Sequence, residues 1–285
     1  MSKILIHFDG EITKQHRVTL RTLGKSLHHL QAAVDRAYLD TKYGQVWKNA
    51  RMSKEDYVET ALWSQAPQEG GFVIDFINDS PKIRQTLSRM INAISPAIEK
   101  SKQASLVNAG TLAEQASIRS QQITAGIYEP LGYETFKPSL NPYGDRAINK
   151  EIDQILGIIR SPGAGKSTIE LEITPETSTT KFSFNKINSQ NFHAVVSKRN
   201  LGEPLSFEVV VHELDHKNKN GTVTNISNGK SIKLHFADEA SFLNIKNYLG
   251  SPEHLKFVGC PIYEGGAFDA TAGDIFFIGL TQWNN

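Results

Sequence analysis

Cysteine is almost absent: one residue, Cys260, in a chain of 285. A single thiol closes no intramolecular disulfide and supplies no multi-cysteine zinc site, so the expected compartment is a reducing cytoplasm. Long apolar runs are missing as well. No stretch approaches the roughly 20 residues that cross a bilayer, and membrane insertion is not expected. The opening, MSKILIHFDGEITKQH, is apolar only from Ile4 to Phe8 before Asp9-Gly10, too short for the core of a signal peptide. Neither sign of charge dominates, with 31 Lys and Arg against 30 Asp and Glu. Residues 1–150 carry 19 basic and 15 acidic side chains and residues 151–285 carry 12 and 15, an asymmetry too small to announce a polyanionic partner. No Ser-His-Asp order, carboxylate pair or dinucleotide fingerprint can be singled out.

What is present is a globular composition, 39% apolar and 21% charged, in a chain long enough for two ordinary domains. Residues 3–8 read as a strand turning at Asp9-Gly10. Val18, Leu20, Leu23, Leu27, Leu30, Val34, Ala37 and Tyr38 then recur at three- and four-residue steps, the apolar stripe of a long helix. That stripe places Leu20, Leu23, Leu27, Leu30 and Val34 in a core, with Arg21 and Lys25 exposed. Runs at Glu59–Ala66 and Phe72–Ile77 flank Gly70-Gly71 and read as a hairpin. Ser80-Pro81 opens a second helix through Ile83, Leu87, Met90, Ile91, Ile94 and Ile98. Residues 101–122 suggest a weakly amphipathic helix, and the Pro- and Gly-rich residues 126–145 a linker.

Beyond the linker the period becomes two. Short strands are expected at residues 168–173, 181–184, 206–214, 222–226, 231–236, 255–258 and 274–280, with turns at Asn220-Gly221 and Asn228-Gly229 and a helix near 239–249. The expected fold class is α+β: an N-terminal helix-covered antiparallel sheet over residues 1–145, then a mostly β domain over 146–285. A small barrel, OB- or SH3-like, is expected at about 205–280.

Two strings carry the look of chemistry. Gly163-Ala164-Gly165-Lys166-Ser167 resembles the phosphate-binding loop of P-loop nucleotidases, and the resemblance implies nucleotide phosphates held by backbone amides and Lys166. The family's first glycine falls on Arg160, and Ser167 to Ile173 alternates as a strand where that family has a helix. His212-Glu213-Leu214-Asp215-His216 resembles the metal-binding helix of peptide deformylases. That resemblance implies a hydrolase with zinc or iron on His212 and His216 and Glu213 as general base; Glu239 is a candidate third ligand. Deformylases place a ligand cysteine before this helix, whereas Cys260 follows it. On a helix the two histidines rise about 6 Å and share one ion; on a strand they lie about 13 Å apart. The Val-rich lead-in at Val209–Val211 and the turn residues Lys217–Gly221 favour the strand, with Glu213 on the face opposite the histidines.

The sequence reading therefore leans to a non-enzymatic binding or adaptor protein without a cofactor, engaging a protein partner or a second copy of itself. Nucleic acid is a further candidate partner: Lys198, Arg199, Lys217, Lys219, Lys230, Lys233, Lys246 and Tyr248 are the side chains available to line a barrel groove. The metal-dependent hydrolase and the nucleotide-binding protein are the alternatives. Phe8-Asp9-Gly10 before a long helix, a Gly-Gly hairpin, and a terminal barrel with Val258-Gly259 and Tyr263-Glu264-Gly265-Gly266 resemble in layout uncharacterised bacterial proteins of mobile-element and phage-defence loci, which implies a bacterial cytosolic setting.

Overall fold

A computed structural model describes residues 1–65, 72–103, 110–133 and 142–281. In chain order the elements begin with β1 (Ser2–Asp9), α1 (Leu20–Tyr43), α2 (Lys54–Glu59), β2 (Trp63–Ser64), β3 (Phe72–Asn78) and α3 (Pro81–Gln103). There follow α4 (Leu112–Thr124), β4 (Leu131–Gly132), α5 (Tyr143–Arg160), β5 (Thr168–Thr174), β6 (Thr180–Phe184) and α6 (Lys186–Val196). The chain ends with β7 (Arg199–Leu201), β8 (Leu205–Asp215), β9 (Asn220–Asn225), β10 (Lys230–His235), α7 (Glu239–Leu243), β11 (Leu255–Glu264) and β12 (Ile275–Leu280). Two compact units share these elements. The first comprises Met1–Val46, Ala50–Leu106 and Pro142–Ser197; the second comprises Trp47–Asn49, Val107–Asn141 and Lys198–Asn285.

The first unit is an antiparallel sheet in the order β2-β3-β1-β5-β6, covered by helices. Alternation along β1 decides which face is covered. Ile4, Ile6 and Phe8 are fully buried with Ile74, Ile169, Leu171 and Ile173 from the neighbouring strands. Helices supply the other half of that core through Leu30, Val34, Leu87, Ile94, Ile148 and Ile152. Each such side chain contributes about 1.5–3 kcal/mol on leaving water. The alternate residues make a mixed opposite face: Leu5, Val73 and Ile77 lie half-buried on it, and His7 and Lys181 meet Glu170 there at 3.4 and 2.8 Å. The helix ends follow local chemistry. Thr19 accepts the Thr22 amide and Gly44, at φ 69°, closes α1, while the Ser80 hydroxyl accepts the Ile83 amide at 3.1 Å to start α3.

Several expectations change here. Leu20 is the first residue of α1 and stands 86% exposed, Leu23 packs half-buried against the core edge, Leu27 is half-buried, and the stripe is fully buried from Leu30. Residues 54–59 are the helix α2, because the Ser53–Asp56 capping box captures both amides at its start; only Trp63–Ser64 remains to pair with β3. Gly70-Gly71 lies outside the described residues. The expected helix at 101–122 divides between the end of α3 and α4. Helices α5 and α6 had no counterpart in the sequence reading. They also move the organisation: residues 142–197 complete the first unit, where a single boundary near 145 was expected.

The second unit contains a closed five-stranded barrel. Strands β8, β9, β10, β12 and β11 follow one another by pairing, and β11 returns to β8. All pairs are antiparallel except β10 with β12, which run parallel. The order 1-2-3-5-4, with a helix between the third and fourth strands, is the OB arrangement; the parallel pair decides against the SH3-like alternative. Val209, Val223, Leu234, Leu255 and Phe257 fill the interior with Phe236 and Phe277. At Gly259, beside a bulge in β11, an added Cβ would sit 2.7 Å from both Ile275 Cγ2 and Phe257 Cε2, so only glycine admits that close approach. Helix α4 packs on β12 through the apolar cluster of Leu112, Ala116, Cys260 and Ile278.

Candidate functional site

The outer face of β8, β9 and β10 is built from alternate residues held in register. One row is Asp215, Asn220 and His235; the next is Glu213, Thr222 and Lys233; a third joins Thr224 to Ser231. Val223, Ile232 and Leu234 point inward, which is why these polar neighbours must point out. Thr222 Oγ1 donates to Glu213 Oε2 at 3.1 Å, and His235 Nε2 lies 3.3 Å from Asp274 Oδ2. Burial pushes the Asp274 carboxyl up, but His235 and the Lys48 ammonium, 2.7 Å away, outweigh it and hold the group below the usual carboxylate range.

The HELDH string lies on β8 and in the turn after it, in extended backbone and not on a helix. A bulge between Val211 and Glu213 makes His212 the extra residue of that strand. Its consequence corrects one expectation: both His212 and Glu213 are exposed, with His212 Nε2 2.7 Å from Thr224 Oγ1, so Glu213 does not take the opposite face. His216 instead meets Glu239 and the edge of the Phe242 ring, 5.5 Å between centroids. The proposed ligands thus divide into a His212–Thr224 pair and a His216–Glu239 pair. Among the described residues no three His, Cys, Asp or Glu side chains form a group able to hold a metal ion.

The GAGKS string leads from a short 3-10 turn at Pro162–Ala164 into β5, so the loop runs helix to strand, the reverse of a nucleotidase loop. Gly165 has φ 51°, and the Lys166 amide donates to the Glu11 carboxylate of the same unit. Ser167 is buried and its hydroxyl accepts the Ile12 amide at 2.9 Å. The amide of the phosphate-lysine position is thereby engaged by the chain's own anion.

The basic side chains of the sequence reading fall into separate places. Lys217 and Lys219 occupy the β8–β9 turn, where Lys219 takes the left-handed φ of 47°, a strained conformation for a residue with a Cβ. Hydrogen bonds from Ser241 hold the Asp238 carboxyl down with a smaller contribution from Lys219, and the Asn218 side chain holds Asp215 down with a smaller contribution from Lys233. Lys230 opens β10 and Lys246 lies exposed in a 3-10 turn after α7. Lys198 and Arg199 are at β7, beyond β12 and β11 in the sheet order, and Arg199 meets Glu264 at 3.4 Å. Tyr248 is half-buried against the barrel core and is not a free stacking ring. The sequence reading did not single out Thr222, Thr224, Ser231, His235, Asp274 or Lys48. Polar residues at alternate positions of β9 and β10 were the available signal for the first four; Asp274 and Lys48 join them only through the fold.

The class these features define is an α+β protein with a closed OB-type barrel bearing a polar strand face. No family model matches the chain, and neither a curated protein nor a solved structure matches it significantly. No helix among the described residues is long and apolar enough to cross a membrane.

Proposed function

We propose that this chain is a non-enzymatic binding protein, an adaptor that presents the β8–β10 face of its barrel to a polypeptide partner in a bacterial cytosolic complex. The observation that supports this reading is the chemistry of the face. The hydroxyls of exposed Ser231 and half-buried Thr224 stand beside carboxylates of Glu213 and Asp215, the Lys233 ammonium and the His235 imidazole, in fixed register. Alternating donors and acceptors with charges of both signs suit a polar protein surface, where complementarity sets specificity. Non-specific single-strand binders combine a basic groove with stacking rings, and this face offers no aromatic side chain. The phage-defence setting implied by the layout belongs to the same proposal.

Nucleic acid is the second reading, favoured by Lys217 and Lys219 in the turn between the first two barrel strands, a loop with which OB barrels contact oligonucleotides. A photo-crosslinking amino acid at Ser231, in cells that naturally express the protein, distinguishes the two. The expected product is a discrete, protease-sensitive, nuclease-resistant adduct, absent when the crosslinker is moved to exposed Asn92 on α3. A nuclease-sensitive adduct would transfer the face to nucleic acid. Identical products from Ser231 and Asn92 would overturn the face as a binding site.

A further inference from the structure

In the first unit, the loop after β1 and the start of α1 lie beside the end of α5 and the loop that follows it. The Ile12 amide donates to the Ser167 hydroxyl and the Lys166 amide to the Glu11 carboxylate, while an added Cβ at Gly157 would lie 3.2 Å from Lys25 Nζ and 3.6 Å from Arg160 Nη2. These segments bring Lys14, Arg17, Arg21, Lys25, Arg160 and Lys166 to one end of the unit. Lys3, Lys42, Lys82 and Arg89 of the same unit each hold a carboxylate. At this end Arg160 does so, meeting Asp153 at 2.7 Å, but Lys14, Arg17, Arg21, Lys25 and Lys166 meet no carboxylate among the described residues. The acids of these segments are engaged otherwise: Glu11 by the Lys166 amide, Glu151 by His29 and Asp153 by Arg160 and His193, which leaves Asp9 at the end of β1.

This arrangement works against folding at several points. Gln15 and His16 both take left-handed φ, 51° and 60°, to close a tip that sets Lys14 opposite Arg17, a strained turn between like charges. Arg21 lies in the first turn of α1, at the positive end of its dipole, and that turn has no acidic residue. Lys25 follows four residues on, a repelling pair on one helix face, and converges with Arg160 on the side-chain-free Gly157. Local rules broken together in one place mark a functional surface, and a ligand with many negative charges relieves all the repulsions at once. Residues 9–28 and 151–167 contain no Phe, Tyr or Trp, so no ring is available to stack on unpaired bases. Leu20 is the one exposed large apolar side chain on them, too little apolar surface to enter a bilayer. We propose that this end of the first unit binds the phosphate backbone of a nucleic-acid duplex without reading its sequence. The surface shares no residue with the β8–β10 face and stands whether or not that face binds a partner.

Fluorescence anisotropy of a labelled DNA duplex titrated with the full chain tests it. Saturable binding with a Kd of about 10⁻⁴ to 10⁻⁶ M at physiological salt is expected, with log K falling against log salt at a slope of about −4. Lys14→Gln, Arg17→Gln and Arg21→Gln together should flatten that slope by about three and weaken binding about tenfold or more. All three side chains are exposed, so this variant should keep the circular dichroism and melting temperature of the parent. Arg51→Gln, Lys54→Gln and Lys100→Gln together remove the same charge from exposed positions elsewhere on the unit and should change the slope by less than about one. The proposal is overturned if the duplex does not saturate, if the first triple substitution leaves the slope unchanged, or if the matched one flattens it as much. It is equally overturned if vesicles of phosphatidylcholine and phosphatidylserine capture the chain and the duplex does not.

Discussion

Asp56 is the buried charge on which the join between α1 and α2 depends. Its side chain is fully buried and holds Lys42 Nζ at 2.5 Å, the Tyr38 hydroxyl at 3.2 Å and the Ser53 amide at 2.8 Å. Burial alone would raise this carboxyl; the Lys42 ammonium and the Ser53 donors outweigh it and bring the group down from 3.8 to about 2. The folded value lies below the unfolded one, so the stability from this group is complete above pH ~4 and is lost as pH falls toward 2. Asp56→Ala leaves Lys42 with its main partner removed and should cost about 3–5 kcal/mol in urea unfolding at pH 7, with the deficit shrinking in acid. Gly165 poses a steric requirement instead. Its φ is in the left-handed region and an added Cβ would fall on the Glu11 carboxylate, so Gly165→Ala should destabilise by about 1–3 kcal/mol. Glu11→Ala in the same chain should recover part of that loss, which a double-mutant cycle measures.

Among the elements, α1 shows how a correct period can mislead about depth. Its stripe is continuous from Val18 to Tyr38, yet its first residue lies at the exposed end of the helix while Leu30 is 3% exposed. Leu30→Ala should cost about 2–5 kcal/mol and Leu20→Ala less than about 0.5 kcal/mol, read from urea midpoints at constant slope. Strand β8 makes the opposite lesson. Valines before the HELDH string and turn residues after it made the strand legible, because β-branched side chains suit a half-buried pleat. The bulge at His212 was not legible: it depends on which residues of β9 stand opposite. With the two histidines on separate partners, His212→Ala and His216→Ala should each leave the zinc and iron content of chelator-free protein unchanged by elemental analysis. A stoichiometric metal lost in both variants would refute the assignment.

At the scale of the whole molecule, the first unit is discontinuous in sequence. Strand β1 pairs with β3 on one side and β5 on the other, and α5 brings Ile148, Ile152 and Ile155 to the same core. A fragment ending at residue 145 would leave Ile4, Ile6 and Phe8 without β5 and α5 beside them. Residues 1–145 alone should therefore lack a cooperative unfolding transition, whereas the full chain should show one; differential scanning calorimetry decides.

The sequence by itself determined the features that period and local chemistry encode: the long helix, the cap at Ser80, the alternating strands from Thr168 onward and the β-rich C-terminal part. It also determined that the residues after Gly165-Lys166 extend as a strand, since Ile169, Leu171 and Ile173 alternate with polar neighbours. Tertiary structure decided what depends on partners distant in the chain. The parallel pairing of β10 with β12 settled the barrel's topology, and the return of residues 142–197 to the first sheet settled the units. The register that places Glu213, Thr222 and Lys233 in one row belongs to the same category. A strand's sequence states which of its residues share a face, but which strand lies beside it is settled by burying apolar surfaces from distant segments together, and no local pattern contains that choice.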